Sequence, residues 1–157
     1  MATRNAWVIT VSDRCAAGEA EDRSGPAVAS QLEAAGFTVV GREVVADEAD
    51  RIAVLIRSAT ADLVVTTGGT GLAARDVTPQ ATAAVVDYEV PGLGEEMRRA
   101  GLASTPASLL SRGIAGVRDR TLVLNLPGSV RGATESLTAV LPALGHALDL
   151  LQGETAH

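Results

Sequence analysis

Residues 62–71 read DLVVTTGGTG, an apolar segment that runs directly into a turn with three glycines. The run from Leu63 to Val65 is rich in β-branched side chains, as in a strand covered on both faces of a parallel or mixed sheet. Glycine allows positive φ angles and close approach of a ligand, so the N–H groups of such a turn can converge on an anion. The stretch therefore predicts a strand that ends in an anion-binding turn, to which the Thr70 hydroxyl adds a donor.

The segment after the glycines carries a carboxylate and the start of a helix. Thr78 is predicted as the helix N-cap, with Pro79 at the first helical position. Asp76 therefore lies beyond the carboxyl end of a strand, where ligands bind in open α/β sheets. The turn matches neither a Walker A loop nor a dinucleotide fingerprint, so a tight corner that binds nothing is an open alternative at this point.

The composition limits the possible classes of function. The chain has 157 residues, 46% of them hydrophobic and 20% charged, which is typical of a single globular domain over residues 1–157. The net charge of −6 and the aromatic content of 2% disfavour binding to nucleic acid or to an anionic membrane. An anionic ligand would need local arginines, backbone amides or a metal ion.

Cys15 is the single cysteine, so we expect no intrachain disulfide and no cysteine-based zinc site. With no histidine or lysine nearby, a passive thiol is favoured over a nucleophile. The N-terminal residues lack the apolar segment of a signal peptide, and no apolar run is long enough to cross a bilayer. These features predict a cytoplasmic protein.

Strand and helix patterns alternate along the sequence. Strands are predicted at 6–11, 37–45, 62–67, 114–117 and 121–126, and helices at 24–35, 52–60, 79–88, 93–100 and 137–151. The alternation predicts an α/β fold, a three-layer α/β/α sandwich around a central, mostly parallel sheet. The last two strands are expected to form a hairpin, which would make the sheet mixed. Pro142 is expected to kink the last helix.

Polar clusters follow most of the predicted strands, at residues 12–14, 47, 68–76, 111–112 and 127–129. Such clusters converge if their strands end at one edge of the sheet. Asp47 and Asp76 could then hold Mg²⁺, with water and ligand phosphates completing its shell, as suits phosphoryl or nucleotidyl transfer. From the local sequence alone, however, Asp47 fits better as a helix N-cap or as a favourable charge near a helix N-terminus.

Seven short motifs are spread over nearly the whole chain. They are TVSD (10–13), DRSGP (22–26), TGGTG (67–71), RDVTP (75–79), PG (91–92), LSR (110–112) and LPG (126–128). Together and in this order, they resemble the MogA/MoaB family of molybdenum cofactor biosynthesis proteins and the corresponding domain of plant and animal molybdenum-insertion proteins. One departure is the LAA segment at 72–74, where many relatives carry a proline or a polar residue.

The resemblance implies a molybdopterin-binding-like fold and molybdopterin adenylyltransferase activity. In this reaction AMP passes from Mg-ATP to the terminal phosphate of molybdopterin, and pyrophosphate is released. The resemblance implies that Asp47 and Asp76 are the catalytic residues and the Mg²⁺ ligands, which reverses the local interpretation of Asp47. It also implies pterin binding by Ser111, ATP as co-substrate, a homotrimer, and hand-over of the product to a molybdenum-insertion enzyme.

The substrate-binding site is predicted from these motifs and from the turns at the strand ends. Besides Ser111, its predicted members are Ser12, Asp13, Ser24, Gly25, Gly68, Gly69, Thr70, Gly71, Arg112, Pro127, Gly128 and Ser129.

Two other functions fit part of the pattern. A non-catalytic molybdopterin carrier would keep the side of the pocket formed by Ser111, Pro127 and Gly128, without needing Asp47 or ATP. The presence of both aspartates favours the enzyme. A nucleotide hydrolase related to competence-damage-type proteins is disfavoured because no second domain is expected in this chain.

Overall fold

The computed structural model of the protein describes residues 3–154. Its strands are β1 (Arg4–Val11), β2 (Phe37–Val45), β3 (Leu63–Thr67), β4 (Tyr88–Glu89), β5 (Ala115–Arg118) and β6 (Thr121–Leu126). Its helices are α1 (Asp13–Ala16), α2 (Ser24–Ala34), α3 (Ala49–Ser58), α4 (Thr78–Ala83), α5 (Pro91–Gly101) and α6 (Val130–Leu151), and a 3₁₀ helix covers Pro106–Leu110.

The strands form one mixed sheet in the order β2-β1-β3-β6-β5-β4. The pairs β2–β1, β1–β3 and β3–β6 are parallel, whereas β6–β5 and β5–β4 are antiparallel. All five residues of β3 are buried, and this strand pairs on both edges. The sheet is therefore mostly parallel, with an antiparallel hairpin at β5–β6, as the sequence predicts.

Helices cover both faces of the sheet. In β3, Leu63 and Val65 contribute to a core cluster with side chains of α2, α5 and α6, including Leu144. Val64, which points to the opposite face, joins a second cluster with side chains of α3 and α4, including Ile52. Burying a leucine or isoleucine side chain contributes about 1.5–3 kcal/mol, so these two aliphatic clusters hold the three layers together. The predicted three-layer sandwich is confirmed.

The predicted details of α4 are wrong. Thr78 is the first helical residue and not the N-cap, which is Val77 and makes no side-chain capping bond. The helix ends at Ala83 instead of continuing to residue 88, and β4 begins at Tyr88. Pairing with β5 overrides the local helical preference there, because the Asp87 N–H donates to the Val117 carbonyl.

The last helix is longer than the sequence pattern indicates. It begins at Val130 and continues through Pro142 to Leu151. Ser129 caps its N-terminus, where its hydroxyl accepts a bond from the Gly132 N–H. Among residues 3–154, no helix combines the length and the apolar character needed to cross a bilayer.

Candidate functional site

The parallel strands bring the polar clusters to one edge of the sheet. Thr10 of β1 is paired with Thr67 of β3, and Thr67 is paired with Leu126 of β6. Val11 is paired with Val45 at the end of β2. The segments after these four strands, which carry most of the predicted site residues, therefore leave the sheet side by side.

Two cavities lie at this edge. The aspartate cavity, named for Asp47 and Asp76, has a volume of about 450 Å³. The predicted site residues that line it are Ser12, Ser24, Asp47, Gly68, Gly69, Asp76, Gly128 and Ser129. The serine cavity, named for Ser111, has a volume of about 460 Å³, and α5, α6 and the 3₁₀ helix contribute to its wall. The predicted site residues that line it are Thr70, Gly71, Ser111, Pro127 and Ser129. Because Ser129 lines both cavities, they adjoin.

The glycine turn forms the wall where the two cavities meet. Gly68 and Gly69 have positive φ angles of 96° and 69°. A Cβ at Gly68 would lie 2.3 Å from the Val11 carbonyl oxygen, and a Cβ at Gly69 would lie 2.3 Å from Thr78 Oγ1. Neither position accepts a larger residue without displacing its neighbours, so glycine is required by both conformation and space.

The Asp47 carboxylate is held by a backbone N–H just after β1, and it does not cap a helix. Its Oδ2 accepts a 2.9 Å bond from the Asp13 N–H, and Glu48 is the N-cap of α3. The local N-cap interpretation of Asp47 is therefore wrong. Burial raises the pKa of the Asp47 carboxyl above its ordinary value, the Asp13 N–H lowers it, and the charges of Asp13 and Asp76 raise it further.

Asp13 lies outside the residues that line the two cavities. Arg75 donates to both of its carboxylate oxygens, at 3.0 and 2.9 Å, and these bonds hold the pKa of Asp13 below its ordinary value. Asp13 Oδ1 also accepts a 2.9 Å bond from the Asp47 N–H. The structure thus places Asp13 as a support for Asp47, and a contact between Asp13 and substrate stays a prediction.

Arg112, which the sequence predicts to bind substrate, uses its side chain for hydrogen bonds within the protein. Its guanidinium donates to the Gly71 carbonyl at 2.9 Å, to the Asp76 carbonyl at 2.8 Å and to Gln80 Oε1 at 3.2 Å. Its N–H donates to the Thr70 carbonyl at 2.8 Å. These bonds join the two ends of residues 71–76, the arm that carries Asp76.

Gly25, a predicted member of the site, is not among the residues that line the aspartate cavity. It is buried, and its N–H donates to Asp22 Oδ1 at 3.0 Å, while the Thr10 hydroxyl donates to Asp22 Oδ2 at 2.9 Å. Thr10, Asp22 and Thr67 line the aspartate cavity, although sequence reasoning did not assign them to the site. The DRSGP motif contains Asp22 and could have identified it.

Asn125 is another residue that sequence reasoning missed. It is buried at the wall of the serine cavity. Its side chain donates to Thr66 Oγ1 and Thr82 Oγ1, at 3.0 and 2.9 Å, and accepts a bond from the Ile114 N–H. It thereby joins β6 to β3 and α4. The signal in the sequence is a polar residue among the apolar residues at 122–126.

Asp47 and Asp76, which line the same cavity, are the residues that could hold a magnesium ion together with phosphate. Asp47 Oδ1 lies 3.1 Å from the position that a Cβ on Gly69 would take, so this oxygen lies directly beside the glycine turn. No group of three histidine, cysteine, aspartate or glutamate side chains within residues 3–154 is arranged to hold a metal ion by itself. Magnesium typically binds one or two carboxylates together with water and substrate phosphates, which matches this donor set.

Comparisons with known proteins agree with this architecture. Residues 7–146 match the model of a family described as a probable molybdopterin binding domain. A molybdopterin adenylyltransferase of Helicobacter pylori is 43% identical over 98% of this chain and 90% of its own length. The corresponding Escherichia coli protein is 39% identical over 93% of this chain and 78% of its length.

Solved structures give the same result. The molybdopterin biosynthesis enzyme MoaB of Thermus thermophilus is 50% identical, covers 96% of this chain and 98% of its own, and superposes with a TM-score of 0.91. The molybdopterin biosynthesis Mog protein of Mycobacterium ulcerans is 40% identical, with coverage of 98% and 99% and a TM-score of 0.91. The chain therefore belongs to the MogA/MoaB family of molybdenum cofactor biosynthesis proteins.

Proposed function

We propose that the protein is a molybdopterin adenylyltransferase, which transfers AMP from Mg-ATP to the terminal phosphate of molybdopterin. The observation that carries this proposal is the meeting of two cavities at Ser129 and the glycine turn. One cavity contains the two aspartates, and the other contains Ser111. Two substrates bound in adjoining cavities would meet at their phosphates if both phosphates lie at the glycine turn. The similarity to curated molybdopterin adenylyltransferases supports the same assignment.

We assign ATP to the aspartate cavity and molybdopterin to the serine cavity. The glycine turn offers backbone N–H groups to the phosphates, while Asp47 and Asp76 would hold Mg²⁺ with phosphate oxygens. When bound, Mg²⁺ neutralises the negative charge that keeps the two phosphate groups apart. Ser111 would bind the pterin substrate from the other side of the wall.

The reaction exchanges one phosphoanhydride bond for another. An oxygen of the molybdopterin phosphate forms a bond with the α-phosphorus of ATP, and the bond from that phosphorus to the oxygen bridging it to the β-phosphate breaks. Pyrophosphate leaves with that electron pair. The protein contributes mainly orientation and charge neutralisation, which account for most of the catalysis in phosphoryl-group chemistry.

The wider biological setting is also part of the proposal. One sheet with core clusters on both faces within residues 3–154 supports our inference of a single domain, which we extend to residues 1–157. On the family resemblance, we infer a cytoplasmic homotrimer that hands its product to a molybdenum-insertion enzyme. Light scattering coupled to gel filtration tests the trimer.

Pyrophosphate release from Mg-ATP tests the activity, with and without molybdopterin, together with mass detection of adenylylated molybdopterin. We expect pyrophosphate and the adenylylated product in equal amounts, and only when molybdopterin is present. The serine cavity contains neither aspartate, so a carrier could bind molybdopterin there without transfer. Binding of molybdopterin with no product would contradict the transferase and support the carrier.

A further inference from the structure

Thr78 fixes two successive peptide groups of the glycine turn. Its hydroxyl donates to the Gly68 carbonyl at 2.9 Å, and its N–H donates to the Gly69 carbonyl at 3.1 Å. Thr78 is completely buried, so both bonds are shielded from water. The two carbonyls are therefore held pointing toward Thr78.

The orientation of these carbonyls determines the orientation of two N–H groups. In a trans peptide the C=O and the following N–H point in opposite directions, and the described chain contains no cis peptide bond. The N–H groups of Gly69 and Thr70 are thus directed away from Thr78. Within residues 3–154, neither of them donates to another protein group. Gly69 lines the aspartate cavity and Thr70 lines the serine cavity.

The position of Thr78 is itself fixed by buried polar contacts of α4. The Thr82 hydroxyl donates to the Thr78 carbonyl at 2.8 Å and accepts a 2.9 Å bond from Asn125 Nδ2. Thr82 and Asn125 are both buried. The glycine turn is therefore connected through α4 to β6, a strand in the interior of the sheet.

We propose that Thr78 is a positioning residue, whose two hydrogen bonds aim the N–H groups of Gly69 and Thr70 at a phosphate group of the bound substrates. The inference rests on the proposed transferase function and adds a residue that touches neither substrate. Preorganised N–H groups stabilise charge in a reaction without the cost of reorienting during it.

Conservative substitutions test this role. Thr78→Val removes the hydroxyl bond to Gly68 and keeps the backbone bond to Gly69, whereas Thr78→Ser keeps both. The matched control is Thr66→Val, because Thr66 is completely buried like Thr78 and its hydroxyl accepts a bond from Asn125, as that of Thr82 does, but it makes no bond to the turn. Calorimetry with Mg-ATP and steady-state kinetics with both substrates are measured for the parent and all three variants.

We expect Thr78→Val to weaken Mg-ATP binding about tenfold, as expected for the loss of one hydrogen bond. The KM for molybdopterin should change much less, Thr78→Ser should restore binding, and Thr66→Val should bind Mg-ATP like the parent. Equal losses in Thr78→Val and Thr66→Val would show a merely structural role and overturn the proposal.

A second measurement uses only the parent protein, so it does not depend on the folding of any variant. In ¹⁵N-resolved NMR spectra, the amide signals of Gly69 and Thr70 should shift when magnesium pyrophosphate is added. Binding of pyrophosphate without these shifts would overturn the role of Thr78 and leave the transferase proposal intact. Failure of the parent to bind either Mg-ATP or pyrophosphate would overturn both.

Discussion

Asp13 and Asp47 exchange two hydrogen bonds, each of 2.9 Å, from the N–H of one residue to the carboxylate of the other. Asp13 follows β1 and Asp47 follows β2, so the exchange joins the ends of two neighbouring strands. The Asp47 carboxylate that we assign to magnesium is therefore held by the Asp13 N–H, while the Asp13 carboxylate, itself held by Arg75, fixes the Asp47 backbone.

We expect Asp13→Ala to reduce kcat/KM for Mg-ATP roughly tenfold, which corresponds to about 1.4 kcal/mol. The variant leaves the Asp47 N–H without its acceptor and releases Arg75. Arg75→Gln, which removes only the ion pair, should have a smaller effect. The control is Arg51→Gln, because Arg51 forms an exposed ion pair with Glu48 that contacts neither cavity. An Asp13→Ala enzyme with unchanged kcat/KM would contradict the supporting role.

Asp76→Asn should reduce the rate of AMP transfer by roughly 100-fold or more, while the protein stays folded. Asparagine can still accept the 3.1 Å bond from the Ala73 N–H but has no charge with which to hold magnesium. Asp87→Asn is the matched control, since Asp87 accepts a bond from the Asp119 N–H outside both cavities. Pyrophosphate release is compared after circular dichroism has verified the fold. Full activity of Asp76→Asn would remove Asp76 from the mechanism.

The difference in stability between Asp47→Asn and the parent should depend on pH. Folding raises the pKa of the Asp47 carboxyl above 3.8. The folded protein therefore binds a proton at Asp47 more tightly than the unfolded chain does. Ionisation of Asp47 therefore lowers the free energy of unfolding of the parent as pH rises through the ordinary pKa and up to the raised one. The asparagine variant lacks this titration, so its stability relative to the parent should increase across that window. Urea unfolding at several pH values measures the difference, and a difference independent of pH would contradict the prediction.

Arg112→Ala should loosen the arm at residues 71–76, because it removes all three guanidinium bonds to Gly71, Asp76 and Gln80. We expect faster hydrogen exchange in the arm and a lower kcat. Arg112→Lys, which keeps the charge but not the forked geometry, should give an intermediate result. If Arg112 instead binds substrate directly, exchange in the free protein will not change while the KM for molybdopterin rises.

Gly68→Ala and Gly36→Ala separate steric overlap from backbone strain. Both glycines have a φ of 96°, but a Cβ at Gly36 would meet no atom within 4 Å, whereas one at Gly68 would meet the Val11 carbonyl. Strain alone costs of order 1–3 kcal/mol, so Gly36→Ala should lose about that much stability. Gly68→Ala should lose clearly more stability than Gly36→Ala, as measured by denaturant unfolding. Equal losses would mean that the turn moves freely to accommodate the methyl group.

The sequence predicts the elements whose signals are local. The buried run of β3, the glycine turn that follows it, and the 37–45 strand follow from hydrophobic pattern and glycine chemistry. The convergence of the turns follows from the parallel order of the strands. These features depend on neighbouring residues or on general rules of topology.

The support structure of the site is not predictable in this way. The exchange between Asp13 and Asp47, and the bonds from Arg112 to the arm, join residues more than thirty positions apart. The local sequence favours Thr78 as an N-cap and gives no sign of its bonds to the Gly68 and Gly69 carbonyls. The division of the predicted residues between two cavities also depends on how α5 and the 3₁₀ helix pack, which no local pattern specifies.

The position of β6 between β3 and β5 has a consequence for synthesis on the ribosome. Leu63 pairs with Leu122, so one edge of β3 stays open while the intervening segment is translated. An apolar strand with an unpaired edge is a site for aggregation. Gly128 and Ser129, which line the aspartate cavity, also follow β6. The nascent chain can therefore complete both its sheet and its ligand pockets only after β6 has been made. Slow translation of the 68–121 segment should increase the dependence of the nascent chain on chaperones.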